Sequence, residues 1–380
     1  MCSSDLMRGK LSGRFVPDKI LLCCVILLSL FGLVMQYSAS SYSALNETGD
    51  EFFYVKKQAL ALVFAAAVYP FVFRLDTEIY RKLRHVLFVL GLILLALVFI
   101  PGVGVENYGA TRWINLGFTT FQPSDIAKFT LVVFIAGCLS KNSCVTFRSM
   151  AAILLACGAV CALIMAEPNM SITMCVGLVT VAMLFLGGAK AKHFALLAVP
   201  AVALVAVLIA VEPYRLKRIA AFLDPWSSPL GEGYQLIQSY YALGSGGLFG
   251  VGLFNSRQKY LFLPFAESDF IFSVIGEELG FVGCAAVLAV FGVIVWRGAL
   301  IAMRAESRFD CYLAAGITAV IGIQALLNVA VVTGSIPPTG LPLPFVSSGG
   351  TSLLMFTCAT AVLQRVAAKS QRQAFGHKMY

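Results

Sequence analysis

Ten apolar runs follow one another along this 380-residue chain, at about residues 19–41, 57–73, 86–101, 126–140, 149–166, 171–187, 193–211, 270–296, 312–334 and 345–364. Each is close to the roughly 20 residues that carry an α-helix across a bilayer. Few folds remain open to such a chain, because backbone in hydrocarbon must satisfy its own polar groups and a helix does so within one segment. Composition agrees. Hydrophobic residues make up 59% and charged residues 12%, with mean hydropathy +0.86, whereas a soluble domain carries roughly 25% charged residues. The expectation is an all-α integral membrane protein with ten transmembrane helices.

An even number of spans leaves both termini on one side. With the termini cytoplasmic, nineteen of the 28 Lys and Arg fall in cytoplasmic segments, among them Arg74, Arg81, Lys82 and Arg84 in one loop and Arg297, Arg304 and Arg308 in another. The positive-inside rule selects this topology over its inverse. The formal charge of +9 is then mostly topology, not a nucleic-acid surface. The first run is too long for the core of a signal peptide and lacks a small-residue cleavage pattern after it, so it reads as a retained helix. Eleven Cys lie mostly inside apolar runs, without a CxxC pair or a Cys/His cluster of metal spacing, and read as small buried hydrophobes.

Residues 1–380 read as a single polytopic domain with no soluble module. The one long connection, about 212–268, lies outside between runs seven and eight, and connections of that length are usually functional. Within it, Tyr234 to Leu243 suits a helix lying in the interface plane, and the glycines from Gly244 to Gly252 allow close backbone approach. Neither GxGxxG nor GxxxxGK[ST] occurs, so those glycines form no nucleotide site.

Acids at and inside the mouth of a span are costly and usually functional. Asp269, Glu277 and Glu278 occupy that position in PFAESDFIFSVIGEELGFVG. The run after Asp269 is longer than the hydrocarbon core, so Asp269 is expected near the outer interface, with Glu277 and Glu278 about two turns deeper. A plainer role exists for each. Asp269 suits a helix N-terminus through the dipole, and the two Glu suit buried Arg or backbone groups.

A second polar cluster is GATRWINLGFTTFQPSDIAKF. Asp125 and Lys128, three apart, share a helix face, and Pro123 with Ser124 opens that helix in the manner of a capped start. Arg112 offers a fork that grips phosphate bidentately, and Trp113 suits the interface as ligand or as anchor. A third cluster, MAEPNMSIT, puts Glu167, Pro168 and Asn169 between two apolar runs, where a turn explains Pro and Asn. The fourth, GSIPPTGLPLPFVSSGGTSLL, is uncharged and irregular, and such backbone survives at membrane depth only where protein or a water-filled cavity surrounds it.

Taken in order, GATRWINLG, QPSDIAKF, QSYYALGSGGLFGVGL, KYLFLP, SDFIFSVIGEELGFVG and PPTGLPLPFVSSGGTSLL resemble the SEDS family (shape, elongation, division and sporulation) through nearly the whole chain. The IGEELG wording is more similar to division members than to elongation members. The resemblance implies ten-helix polymerases of peptidoglycan glycan strands in the bacterial cytoplasmic membrane, which use lipid II on its outer face. It also implies a penicillin-binding transpeptidase of class B and other divisome membrane proteins as partners, at the septum. The family's essential acid falls on Asp269, and its ArRW and QPSE..K motifs fall on Arg112, Trp113, Gln122, Pro123, Ser124, Asp125 and Lys128. Asp125 stands where Glu is usual, Asn169 where an acid is usual, and Ser348 where Tyr is usual.

Residue chemistry is compatible with that implication. A lipid-linked sugar pyrophosphate carries its own leaving group, so one base and several cations suffice, without nucleotide. Asp269 is the expected base, and Arg112, Lys128, Arg215, Lys217, Arg218, Arg257 and Lys259 are the pyrophosphate candidates, with Trp113, Asp125, Glu277 and Glu278 beside them in the substrate site. A divalent cation is compatible with this work, though no ligand set is evident. Two other functions fit the same residues: a lipid II flippase, and a non-catalytic scaffold for a transpeptidase.

Overall fold

The computed structural model describes residues 17–107, 110–115, 120–141, 147–190, 213–338 and 340–376. Among these, nine of the ten apolar runs lie on helices: α1 (Lys19–Thr48), α2 (Phe53–Arg74), α3 (Thr77–Leu97), α4 (Pro123–Leu139), α5 (Phe147–Ala166), α6 (Met170–Leu186), then α9 (Ile271–Met303), α10 (Arg308–Val332) and α11 (Gly350–Gly376). The seventh run, 193–211, lies outside the described residues. Six of the described helices are both long and apolar enough to cross a membrane. Short polar caps set several starts: Asp18 accepts from the Leu21 N–H, Asp76 from Glu78 and Ser307 from Asp310. Helix α4 begins at Pro123 as expected, but with Pro at the first turn and no side-chain cap, so Ser124 lies inside the helix.

The connection before α4 holds a small antiparallel sheet that the apolar pattern did not announce. Strands β1 (Gly104–Asn107), β2 (Ala110–Asn115) and β3 (Thr120–Phe121) pair in the order β1-β2-β3, with Val105 opposite Trp113. The long connection contains α7 (Pro213–Leu223) and α8 (Tyr234–Gly246), and then runs through turns to Phe270.

Helix α9 is broken at Gly280, whose φ of 68° and ψ of −166° lie outside the helical region. The break strands backbone groups that would otherwise lack partners, and the glycine-rich turn segment after α8 supplies them. Val251 and Gly252 donate to the Glu277 and Glu278 carbonyls at 2.9 and 3.0 Å, while Phe281 and Val282 donate to Gly247 and Leu248 at 2.9 and 3.1 Å. So close an approach leaves no room for side chains: a Cβ at Gly250 would come within 2.1 Å of the Glu278 carbonyl oxygen. The long connection is thereby sewn into the bundle.

Helix α9 packs against α1, α8 and α10, and α11 packs against α2. The irregular segment between α10 and α11 is buried at Leu341, Leu343, Phe345 and Val346. Gln58 of α2 holds its end by donating to the Ser347 carbonyl at 3.1 Å and accepting from the Gly349 N–H at 3.2 Å.

Candidate functional site

Asp269 lies in the turn just before α9, half-buried. The main chain around it is pinned at three consecutive carbonyls. The Ser348 N–H donates to Glu267 at 2.9 Å, Ser347 Oγ to Ser268 at 2.5 Å, and Asn328 Nδ2 to Asp269 at 2.9 Å. On the carboxylate side, a Cβ at Gly340 would sit 2.8 Å from Asp269 Oδ2. Burial pushes the Asp269 carboxyl up to about 7, the neighbouring Glu267 adds to the rise, and the Arg112 and Arg218 guanidinium groups oppose it. Glu267 itself is raised, first by burial. A carboxylate, a second acid and two guanidinium groups therefore share one electrostatic neighbourhood.

Arg112, on β2, reaches the turn between α5 and α6: Nε donates to the Glu167 carbonyl at 3.1 Å and Nη2 to the Pro168 carbonyl at 2.6 Å. Its neighbour Trp113 is half-buried. Glu167 is fully buried, and its carboxyl oxygens have no hydrogen-bond partner among the described residues. Asn169 caps α6 by accepting from the Ile172 N–H at 3.3 Å. Arg218, on α7, donates to the Pro338 carbonyl at 3.3 Å and lies 3.9 Å from the Glu232 carboxylate. Lys217 is exposed, and with Arg218, Ser228, Glu232 and Gln235 it lines a cavity of about 730 Å³. Arg215 is on the same helix, with its side chain outside the described residues.

Most of the remaining expected site residues are engaged by the protein itself. Glu277 accepts from Ser256 Oγ at 2.5 Å and from the Arg257 and Gln258 N–H groups at 2.9 and 3.3 Å. Glu278 accepts from Ser38 Oγ at 2.5 Å, the Ser256 N–H at 3.2 Å and Lys259 Nζ at 3.3 Å. Both carboxylates fasten the turn Ser256–Lys259 onto α9. Lys259 is buried, and its ammonium also donates to the Phe254 carbonyl at 2.6 Å and to Ser38 Oγ at 3.2 Å. Arg257 is exposed and borders a second cavity of about 370 Å³ together with Glu277. Asp125 and Lys128 form a buried pair at 2.8 Å, and Lys128 also donates to Gln324 Oε1 at 2.7 Å.

Three site residues escaped the sequence reading. Glu267 carried a signal, since it stands two positions from Asp269 in the same acidic turn. Asn328 and Gln324 carried one only as polar residues four apart in the apolar second half of their helix. Among the described residues no group of three or more His, Cys, Asp or Glu is placed to hold a metal ion.

The FtsW/RodA/SpoVE cell cycle protein profile matches residues 18–372. Stage V sporulation protein E of Bacillus subtilis (strain 168) is 40% identical over 359 residues, covering 93% of this chain and 98% of that protein. A protein named probable peptidoglycan glycosyltransferase FtsW, from Geobacter sp. (strain M18), is 38% identical over 360 residues, covering 94% and 98%. Among solved structures, a chain from a peptidoglycan synthase complex superposes with a TM-score of 0.78 at 28% identity, covering 93% and 98%. The rod shape determining protein RodA of Thermus thermophilus gives 0.68 at 25%, covering 93% and 97%. A match that runs through almost every helix and through the Asp269 turn makes this chain a membrane protein of the FtsW/RodA/SpoVE family, the SEDS family that its motifs resemble.

Proposed function

We propose that this chain is a peptidoglycan glycosyltransferase that polymerises lipid II on the outer face of the cytoplasmic membrane, with Asp269 as general base. The observation that carries this reading is the placing of Asp269: a half-buried carboxylate, pushed up to about 7, with two guanidinium groups in its field. A base works best with a pKa near the working pH. The GlcNAc 4-hydroxyl of the acceptor gives its proton to the Asp269 carboxylate, and its oxygen forms a bond to the anomeric carbon of the donor strand. The bond from that carbon to the pyrophosphate breaks with inversion, and the undecaprenyl pyrophosphate leaves with the electron pair.

Arg112 and Arg218 are the first partners for that departing charge, the exposed Lys217 adds to it beside Arg218, and Arg215 stands two positions earlier on the same helix. Trp113 anchors the sheet beside Arg112. Asp125, Lys128, Lys259, Glu277 and Glu278 serve from within, holding α4, α9 and the outer turn in place. In this reading the chain crosses ten times with both termini cytoplasmic, the segment 212–268 lies outside, and a class B penicillin-binding transpeptidase joins it at the septum.

Purified protein given lipid II in detergent, where no sidedness exists, is the test. Glycan polymer from the parent and a loss of about 10²-fold or more in Asp269→Asn are expected. A parent that makes no polymer but moves lipid II between leaflets of vesicles would make the chain a flippase. A folded Asn variant with parental turnover would remove Asp269 from the base role.

A further inference from the structure

Helix α10 turns two buried amides toward the irregular segment before α11, and one of them also reaches the Asp269 turn. Asn328 spends both hydrogens of Nδ2 on main-chain carbonyls, one on Asp269 at 2.9 Å and one on Leu341 at 2.7 Å. Four residues earlier, and so on the same helix face, Gln324 donates from Nε2 to the Pro342 carbonyl at 2.8 Å and accepts at Oε1 from Lys128 at 2.7 Å. Lys128 in turn is paired with Asp125. The two amides therefore read successive carbonyls of the irregular segment and, through Asn328, tie that segment to the turn that carries Asp269.

This arrangement concerns direction, not only cohesion. A side chain leaves its backbone along a line fixed by the flanking peptide planes, and the Asp269 carbonyl belongs to one of them. The Glu267 and Ser268 carbonyls are held from the α10–α11 segment by Ser348 and Ser347, and the Asp269 carbonyl is held from α10 itself. Removing Asn328 frees the last of the three planes and also loosens Leu341, next to the Gly340 that abuts Asp269 Oδ2.

Building on the reading of Asp269 as base, we propose that Asn328 is a positioning residue for the reaction: it aims the Asp269 carboxylate at the acceptor hydroxyl, and Gln324 extends the same bracket to the Asp125–Lys128 pair. Asn328 itself touches no substrate.

Positioning of this kind acts on turnover. In Asn328→Ala, kcat for lipid II polymerisation should fall by roughly 10-fold to 10²-fold, since misplacement of a catalytic group by about 1 Å can cost that much. KM should stay near the parental value. The acid limb of the pH profile should also be displaced, because the carboxylate would take up a new distance from Glu267, Arg112 and Arg218. Asn328→Leu fills the same space without donors, and it serves if the alanine variant folds poorly. A merely structural Asn328 would lower the folded fraction, reducing the amplitude while leaving KM and the acid limb where they were, and that result overturns the proposal. So does parental kcat in either folded variant. Asp269→Asn, assayed beside them, separates the two claims: an active Asn variant defeats the base assignment, whereas an inactive one with an unaffected Asn328→Leu defeats only the bracket.

Discussion

Lys128 Nζ stands 2.8 Å from Asp125 Oδ1, one turn apart on α4, with both side chains almost wholly buried. The ammonium also lies 4.6 Å from the centre of the Phe356 ring. A buried pair of this kind is sensitive to the loss of one partner, because the other charge is left without compensation. Asp125→Ala and Lys128→Ala are each expected to cost roughly 3 to 5 kcal/mol. The double variant should recover part of that stability, since Gln324 and Phe356 are then left beside an uncharged site. Thermal unfolding in detergent reads the difference, and additive losses in the double variant would mean that the two groups are not coupled.

The acid limb of the activity profile belongs to Asp269. A base must be ionised to accept a proton, and burial and Glu267 push this carboxyl up to about 7, so turnover should climb as pH rises through that region. Glu267→Gln takes away a neighbouring negative charge and leaves the shape alone. The limb should then move to lower pH, with the plateau rate little changed. A kcat/KM profile for the two proteins checks this, and coincident limbs would detach Glu267 from the titration.

Much of this was legible in the sequence, and the limits have physical reasons. Nine apolar runs lie on described helices because backbone among apolar groups must satisfy its own hydrogen bonds within one segment, and the Asp125–Lys128 pair followed from a spacing of three. Partners distant in the chain were not legible. Glu277 and Glu278 suit either a substrate site or buried Arg and backbone groups in the sequence, and only the turn Ser256–Lys259, some twenty residues upstream, shows which groups they bind. Lys259 looks like a surface cation until Ser38 and Glu278 enclose it. The β1-β2-β3 sheet was invisible because its short strands carry no long apolar run. Gly280 was legible as a glycine but not as a break, since only the approach of Leu248 and Gly250 explains its backbone.

Arg112 already uses Nε and Nη2 on the Glu167 and Pro168 carbonyls, and that grip fixes the plane of the guanidinium near Asp269. A lysine keeps the charge but has neither the plane nor the second donor line. Arg112→Lys should therefore lower kcat/KM for lipid II about 10-fold or more, because hydrogen bonds to a charged group are worth roughly 1.5 to 3 kcal/mol. Parental kcat/KM in that variant would reduce Arg112 to a clasp between the sheet and the α5–α6 turn.

Glu167 offers a test of stability that is independent of catalysis. It sits in the turn between α5 and α6, and no hydrogen bond reaches its carboxyl among the described residues. Burial pushes the group up to about 8, and the Arg112 guanidinium only partly opposes this. In the unfolded chain a glutamate ionises near its usual value of about 4.3. Between those two values the folded state holds a proton that the unfolded state has lost, so the folded state is favoured at low pH. That contribution is fully present below the unfolded value, is lost progressively as pH rises, and is gone above the folded value. The parent should therefore lose thermal stability between about pH 5 and about pH 8 by more than Glu167→Gln, which cannot ionise. Melting temperatures of both proteins in the same detergent across that window are the measurement. Parallel curves would show that Glu167 ionises at its ordinary value and that Arg112 stabilises its carboxylate fully.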